Sequence, residues 1–335
     1  MPVSKQSVIA IVGPTASGKS AIAMRIARAA KAKGKVIEII SMDSALVYRQ
    51  MDIGTAKPSR SELAEITHHG IDITEPEIAY SAAKFAKDAK QWLKEIEARG
   101  HIPLIVGGTM LYWRALAHGL SEMPAANPEI RLKLEQDAAE KGWPAIHAEL
   151  EKVDPIAAAR IELNDSQRIQ RALEIYLSTG KSMSAWQNES PTQSGRGKNA
   201  NSSDAPLNFR LFSIEPSDRS ILHERIAKRF EIMMKEGFLE EMKLLHQNPN
   251  LHPDLPSMRA VGYRQAWDYL DEKITFQEFQ DQAIAATRQL AKRQLTWLRG
   301  IQEKQVIDPL NEDDLNQCEQ DILAHYGISE NLTKI

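Results

Sequence analysis

Residues 13 to 20 read Gly13-Pro14-Thr15-Ala16-Ser17-Gly18-Lys19-Ser20 and follow directly on the apolar run Val8–Val12. A buried strand that turns through such a loop and opens a helix at Ser20-Ala21-Ile22-Ala23 leaves few architectures open. Gly13 and Gly18 allow backbone angles and a close approach that a side chain would block. The loop N–H groups and the N-terminus of the following helix point at an anion. Lys19 adds a point charge, and the Ser20 hydroxyl can hold Mg²⁺. The chain is therefore expected to bind a di- or triphosphate through residues 13 to 20.

Around this loop, short apolar runs alternate with amphipathic stretches. Strands are expected at Val8–Val12, 36–40 and 102–106, and helices at 21–33 and 81–99. Gly34 and Gly100 sit where helix C-caps belong. This βαβ series predicts a P-loop NTPase-like α/β fold, a parallel sheet covered by helices, with ligands at the C-terminal strand ends. Residues 121–187 read as helix throughout, an all-helical insertion domain. Residues 188–205 are rich in Ser, Asn and Gly and read as a mobile loop. Phe209–Ile214 returns as a strand, and 217–304 is helical and charged. The expected division is a core at 1–120, a helical insertion at 121–206 ending in the loop, a return strand with basic helices at 207–307, and an acidic peripheral tail at 308–335.

The 335 residues suffice for two domains, and 26% charged with 42% hydrophobic residues is ordinary for a soluble globular protein. A net charge of −3 gives no global signal for nucleic acid, so any RNA site must be a local patch. One cysteine, Cys318, excludes an intramolecular disulfide and a multi-cysteine metal site. No apolar run has the length of a membrane span, and residues 1–7 carry no signal-peptide core. A cytoplasmic protein is expected.

Asp43 ends the second strand. A carboxylate there is a metal ligand, a catalytic base, or a turn and N-cap residue. The third strand runs into Gly107-Gly108-Thr109 and lacks the strand-end acid of an ordinary NTPase. Two glycines let a second ligand approach closely, or form a tight turn; the Thr109 hydroxyl offers a donor and an acceptor. Three basic clusters follow: Gln167-Arg168-Ile169-Gln170-Arg171, Arg259-Ala260-Val261-Gly262-Tyr263-Arg264, and Lys292-Arg293-Gln294-Leu295-Thr296-Trp297-Leu298-Arg299. Cations interleaved with aromatic rings suit phosphates and splayed RNA bases. Each cluster alone also reads as a solvated helix face.

Together these residues resemble the tRNA dimethylallyltransferases, also called tRNA isopentenyltransferases. The resemblance runs from Val8 to about Gly300. It rests on the loop at 13–20, Asp-Ser-Ala-Leu-Val-Tyr-Arg at 43–49, Gly-Thr-Ala-Lys-Pro at 54–58 and Val-Gly-Gly-Thr-Met-Leu-Tyr at 106–112, together with the clusters at 167–174, 257–265 and 292–299. The polar loop at 188–205 is a departure. The resemblance implies transfer of a dimethylallyl group from its diphosphate to the exocyclic amine of an adenosine beside the tRNA anticodon. Lys19, the loop N–H groups and Mg²⁺ at Ser20 would stabilise the departing pyrophosphate. It makes Asp43 the proton acceptor and Thr109 a positioning group. It gives Asp43, Ser44, Ala45, Leu46, Thr109, Arg131 and the three basic clusters to tRNA, and Arg219 to the diphosphate. A monomer acting on the anticodon stem-loop, without a membrane, is expected. The rival readings are a prenyltransferase for free adenylates, a nucleotide kinase, which would consume ATP, and a non-catalytic RNA-binding module.

Overall fold

The structure is a computed structural model that describes residues 7–119, 123–124, 126–189 and 207–328. Along the chain run β1 (Val8–Val12), α1 (Lys19–Ala32), β2 (Ile37–Met42), α2 (Arg60–Glu65), β3 (His68–His69), α3 (Ala82–Ala98), β4 (Ile102–Gly107) and α4 (Met110–His118). Five helices follow: α5 (Pro128–Lys141), α6 (Trp143–Val153), α7 (Pro155–Ala158), α8 (Ser166–Thr179) and α9 (Met183–Glu189). Then come β5 (Phe209–Ile214), α10 (Arg219–Lys235), α11 (Phe238–His246), α12 (Tyr263–Leu270), α13 (Phe276–Arg299), β6 (Gln305–Ile307) and α14 (Glu312–His325). The chain divides into two compact units, residues 1–117 with 206–335, and residues 118–205.

In the first unit the strands form one parallel sheet in the order β3-β2-β4-β1-β5-β6. Every residue of β1 and β2 is buried, as expected of strands covered on both faces. Side chains alternate between two cores. Val8, Ala10 and Val12 face one that holds Phe85 and Leu93 of α3 and Phe279 of α13. Ile9 and Ile11 face the other, with Ile22 and Ile26 of α1. The register sets Val12 and Met42 each beside Gly107, and Val12 beside Ser213. Four strands thus end level, and their turns leave from one edge.

The expected sheet is present, with differences at its margins. β3 and β6 are too short and too polar to signal themselves. β3 is secured from β2, where the buried Glu38 carboxylate accepts from His69 at 2.6 Å, His101 at 2.6 Å and Arg99 at 2.8 and 3.0 Å. Burial alone would raise that carboxyl; the hydrogen bonds from Arg99, His69 and His101 outweigh it and hold Glu38 at about 2. The expectation of a peripheral acidic tail fails for α14. Leu315, Cys318, Ile322 and Leu323 fall on one helical face and pack into the core beside α1. The acidic side of α14 pairs outward, Arg25 meeting Glu312 at 3.0 Å and Glu319 at 2.6 Å. The stretch expected to be helical at 217–304 is broken between α11 and α12.

The second unit has its own core of Leu134, Ile146, Leu150, Ile169 and Leu173. Its helices start on local signals. Asn127 caps α5 through N–H groups of Glu129 and Ile130, with Pro128 in the first turn. Asp154 caps α7, and Asp165 caps α8. The stretch expected to be helical at 121–187 is interrupted: α7 stops at Ala158, and residues 159–165 before α8 are not helical. The polar loop expected at 188–205 lies, from 190 onward, outside the described residues.

Candidate active site

The turn from β1 to α1 uses its two glycines for different reasons. A Cβ on Gly13 would lie 2.7 Å from the Ile214 carbonyl oxygen and 2.8 Å from Ser17 Oγ, so that position needs the space. A Cβ on Gly18 would meet nothing within 4 Å, but its φ of 94° is left-handed, so that position needs the backbone angle. Ala16 is left-handed too, at φ 62°, a conformation that costs energy for a residue with a side chain. Not every loop amide faces outward. Thr15 N–H donates to Gln294 Oε1 at 2.8 Å, and Ser17 N–H to the Pro14 carbonyl at 3.3 Å. The first turn of α1 adds N–H groups with no helical acceptor.

Lys19 donates to the Pro14 carbonyl at 3.2 Å. Burial pushes its ammonium down to about 8; the charge of Asp43 opposes the shift and that of Arg229 adds to it. Arg229, on α10, donates to Thr15 Oγ1 at 3.4 Å and to the Thr55 carbonyl at 3.2 Å. Its guanidinium is likewise lowered by burial and supported by Asp43. Lys19, Asp43 and Arg229 therefore form one electrostatic group at the loop. A cavity of about 600 Å³ opens over it, lined by Gly18, Lys19, Ser20, Arg25, Arg225 and Arg229 among others. Arg225 and Arg229 are one helical turn apart, the spacing that puts both on one face of α10. Neither is singled out by the sequence, from which Arg219 is the expected diphosphate contact on this helix. Arg219 is exposed in the first turn of α10 and does not line the cavity.

Asp43 and Thr109 leave the ends of β2 and β4. Asp43 Oδ1 accepts the N–H groups of Ala45 at 2.9 Å and Leu46 at 3.4 Å. Among the described residues no hydrogen bond reaches Oδ2. Thr109 Oγ1 accepts Ser44 N–H at 3.0 Å. The two glycines before it make room for protein. A Cβ on Gly107 would lie 2.1 Å from the Met42 carbonyl oxygen. One on Gly108 would lie 2.5 Å from Gln294 Nε2 and 2.9 Å from the Gly13 carbonyl oxygen. The tight-turn reading of this fragment accounts for both.

The adjoining motif, Gly54 to Pro58, is secured from α11. Glu241 accepts the N–H groups of Asp52, Ile53 and Gly54 at 2.8, 2.7 and 3.2 Å. Tyr263 donates its hydroxyl to the same carboxylate at 2.5 Å. Tyr263 is fully buried, its ring edge-on to Phe238. Its expected role as a stacking ring on the surface is thereby corrected: the ring fills the core beside Gly54. Around it Arg264 is exposed, and Arg259 pairs with Asp254 at 3.3 Å. On α13, Lys292, Arg293, Thr296, Trp297 and Arg299 are exposed, whereas Leu295 and Leu298 are buried and Gln294 points into the site.

In the second unit the arginines are partly committed. Glu174 is fully buried and accepts from Arg131 at 2.7 Å, Arg171 at 2.6 Å and Asn127 N–H at 2.7 Å. Burial would raise its carboxyl, and these hydrogen bonds bring it below the usual range. Arg168 is 71% exposed and pairs with Asp165. Ile169 is in the core, and Gln170 bonds the Arg131 carbonyl and Glu135. Among the described residues no group of three or more His, Cys, Asp or Glu side chains could hold a metal, and no helix is long and apolar enough to cross a membrane.

The family model described as IPP transferase matches residues 46–301, a span that begins after both the phosphate loop and Asp43. The chain is similar to the tRNA dimethylallyltransferase of Polynucleobacter asymbioticus, with 53% identity over 92% of this chain and 91% of that protein. Among solved structures it is similar to the full-length tRNA isopentenylpyrophosphate transferase of Bacillus halodurans, at 34% identity and a TM-score of 0.66, covering 96% of this chain and 97% of that one. It is also similar to a eukaryotic dimethylallyltransferase acting on tRNA, at 25% identity and a TM-score of 0.73, covering 99% of this chain and 81% of that one.

Proposed function

The chain belongs to the IPP transferase family, and from that premise we propose how its residues carry out a prenyl transfer to tRNA. It is a prenyltransferase that modifies tRNA: a dimethylallyl group passes from dimethylallyl diphosphate to the N6 amine of the adenosine 3′-adjacent to the anticodon. The observation that carries the residue assignments is the convergence, at one sheet edge, of the phosphate loop, Arg229, Asp43 and Thr109, with no acid ending β4. A site built to activate water against a γ-phosphate would want such an acid.

The donor diphosphate lies in the cavity over residues 13 to 20. Lys19, Arg229 and the first-turn N–H groups of α1 meet its charge, which grows as the carbon–oxygen bond breaks and pyrophosphate keeps the electron pair. The adenine amine is a weak nucleophile because its lone pair is shared with the ring. Asp43 takes the N6 proton as the nitrogen–carbon bond forms. With Oδ1 fixed by Ala45 and Leu46, Oδ2 remains for that proton. Thr109 orients the turn on which this depends. Ser20, in the cavity wall, is the residue that would hold Mg²⁺. An oxygen donor set with few protein ligands suits that ion. Bound there, it would neutralise charge on the leaving group.

The target adenosine must leave its stack to reach Asp43. The 118–205 unit, through Arg131, Arg168 and Arg171, and the exposed cations Arg264, Lys292, Arg293 and Arg299 grip the anticodon stem-loop. The protein works in the cytoplasm as a monomer. The test is incubation of purified protein with bulk tRNA and labelled dimethylallyl diphosphate, followed by nucleoside analysis. Label on N6 of a tRNA adenosine supports the reading; label on free adenylate, or none on RNA, contradicts it.

A further inference from the structure

Two turns must be held in fixed relation for this chemistry, and they come from different strands. The leaving group is held by the turn after β1, and the turn after β4, through Thr109, orients the Asp43 turn that meets the acceptor amine. Their parallel pairing ends at Val12 beside Gly107. Beyond that point, among the described residues, the hydrogen-bonded link between the turns is the Gln294 side chain. Its Oε1 accepts Thr15 N–H at 2.8 Å, and its Nε2 donates to the Gly108 carbonyl at 2.9 Å.

The chemistry of the partners fixes the amide. A backbone N–H only donates and a carbonyl only accepts, so the oxygen must face Thr15 and the nitrogen Gly108. Glu has no donor for Gly108, Lys has no acceptor for Thr15, and Asn is one methylene shorter. Gln294 also stands on rigid support. Ala291 and Leu295 of α13 pack with Leu222 and Ile226 of α10, and Ala16 of the loop packs against that cluster. α10 carries Arg229, which holds the Thr15 hydroxyl. Thr15 is thus gripped through its amide by α13 and through its hydroxyl by α10.

We propose that Gln294 is a positioning residue that sets the spacing between the diphosphate loop and the acceptor turn. It thereby fixes the approach of the donor carbon to the adenine amine. This rests on the prenyl-transfer reading above and assigns Gln294 inward, away from the tRNA surface that its neighbours Lys292 and Arg293 present. Misplacement of reacting groups by about 1 Å costs on the order of a hundredfold in rate. The effect therefore belongs in kcat and in diphosphate binding, not in tRNA affinity.

The experiment compares wild type with Gln294→Met, which keeps the volume and loses both bonds, and Gln294→Glu, which keeps the acceptor and loses the donor. Four quantities are read: kcat, the KM for each substrate, affinity for inorganic pyrophosphate, and hydrogen exchange at the Thr15 amide. Gln294→Met should lower kcat by roughly 10- to 100-fold, weaken pyrophosphate binding and speed Thr15 exchange, with the KM for tRNA within about twofold. Gln294→Glu should lower kcat while Thr15 exchange stays slow. A kcat within threefold of wild type in both variants, unchanged Thr15 exchange in Gln294→Met, or a loss of tRNA affinity in proportion to kcat would overturn the proposal. Were the protein to modify no adenosine at all, the reading above would fall, while pyrophosphate affinity and Thr15 exchange would still judge the bridge.

Discussion

The Thr109 hydroxyl accepts the backbone N–H of Ser44 at 3.0 Å and donates to Ser44 Oγ at 3.3 Å. Thr109 N–H in turn donates to the Met42 carbonyl at 3.2 Å. These bonds stitch the turn after β4 to the turn that carries Asp43. Asp43 is thus aimed twice, by its own capping of Ala45 and Leu46 and by the neighbouring turn.

Asp43→Asn keeps the capping oxygen and removes the proton acceptor. Turnover should fall by roughly 10²–10⁴ with tRNA affinity unchanged. Thr109→Val should fall less, and Thr109→Ser should restore most of the rate, because only the hydroxyl is needed. Single-turnover rates with saturating tRNA check the series. If Asp43→Asn stays within a few-fold of wild type, Asp43 is not the base.

Lys19 should carry the pH dependence of donor binding. Its ammonium sits at about 8 where an ordinary lysine would be near 10.5. The protonated form binds the diphosphate, so affinity is full below about 8 and declines as pH rises through it, by about tenfold per unit once Lys19 is mostly neutral. Affinity for pyrophosphate across pH 7 to 10 would show the decline. Lys19→Arg should flatten it, since a guanidinium stays charged throughout. A wild-type profile that is flat to pH 10 would refute this.

Arg229 and Arg219 stand on the same helix with different surroundings, and they separate the cavity from the exposed end of α10. Arg229→Ala should raise the KM for the donor by about 10- to 100-fold, the scale of losing hydrogen bonds to a charged group. Arg219→Ala should leave it nearly unchanged. The opposite ranking would move the diphosphate toward the start of α10.

Much of this was legible in the sequence because its signals are local. A five-residue apolar strand followed by Gly13 to Ser20 carries its own turn and helix, and Asn127-Pro128 announces α5 unaided. What was not legible depends on distant partners. Nothing local tells that Tyr263 turns inward to Glu241, or that Gly108 is small to admit Gln294 from 186 residues away. Arg229 could have been found, since Arg225 and Arg229 lie one turn apart on an amphipathic helix just after the returning strand. α14 was not legible because acidic composition masked the stripe of Leu315, Cys318, Ile322 and Leu323, and β6 because Gln305–Ile307 is too short and polar to signal a strand.

The exposed cations should make tRNA binding steeply salt-dependent despite the net charge of −3. Replacing Lys292 and Arg299 together by alanine should flatten the slope of log K against log salt by about two counterions' worth. Tyr263→Phe should leave the slope alone, because the ring is buried. Filter binding across a salt series is the check, and an unchanged slope in the double variant would place the RNA elsewhere.

The phosphate loop should serve a prenyl diphosphate, and ATP should not be a substrate. Phosphate accounting in a complete reaction tests it most directly. With tRNA, dimethylallyl diphosphate and Mg²⁺ present, pyrophosphate should appear one-for-one with N6-modified adenosine, and ATP added to the mixture should be recovered intact. Orthophosphate or ADP rising in step with turnover would rule this out and return the loop to nucleotide chemistry.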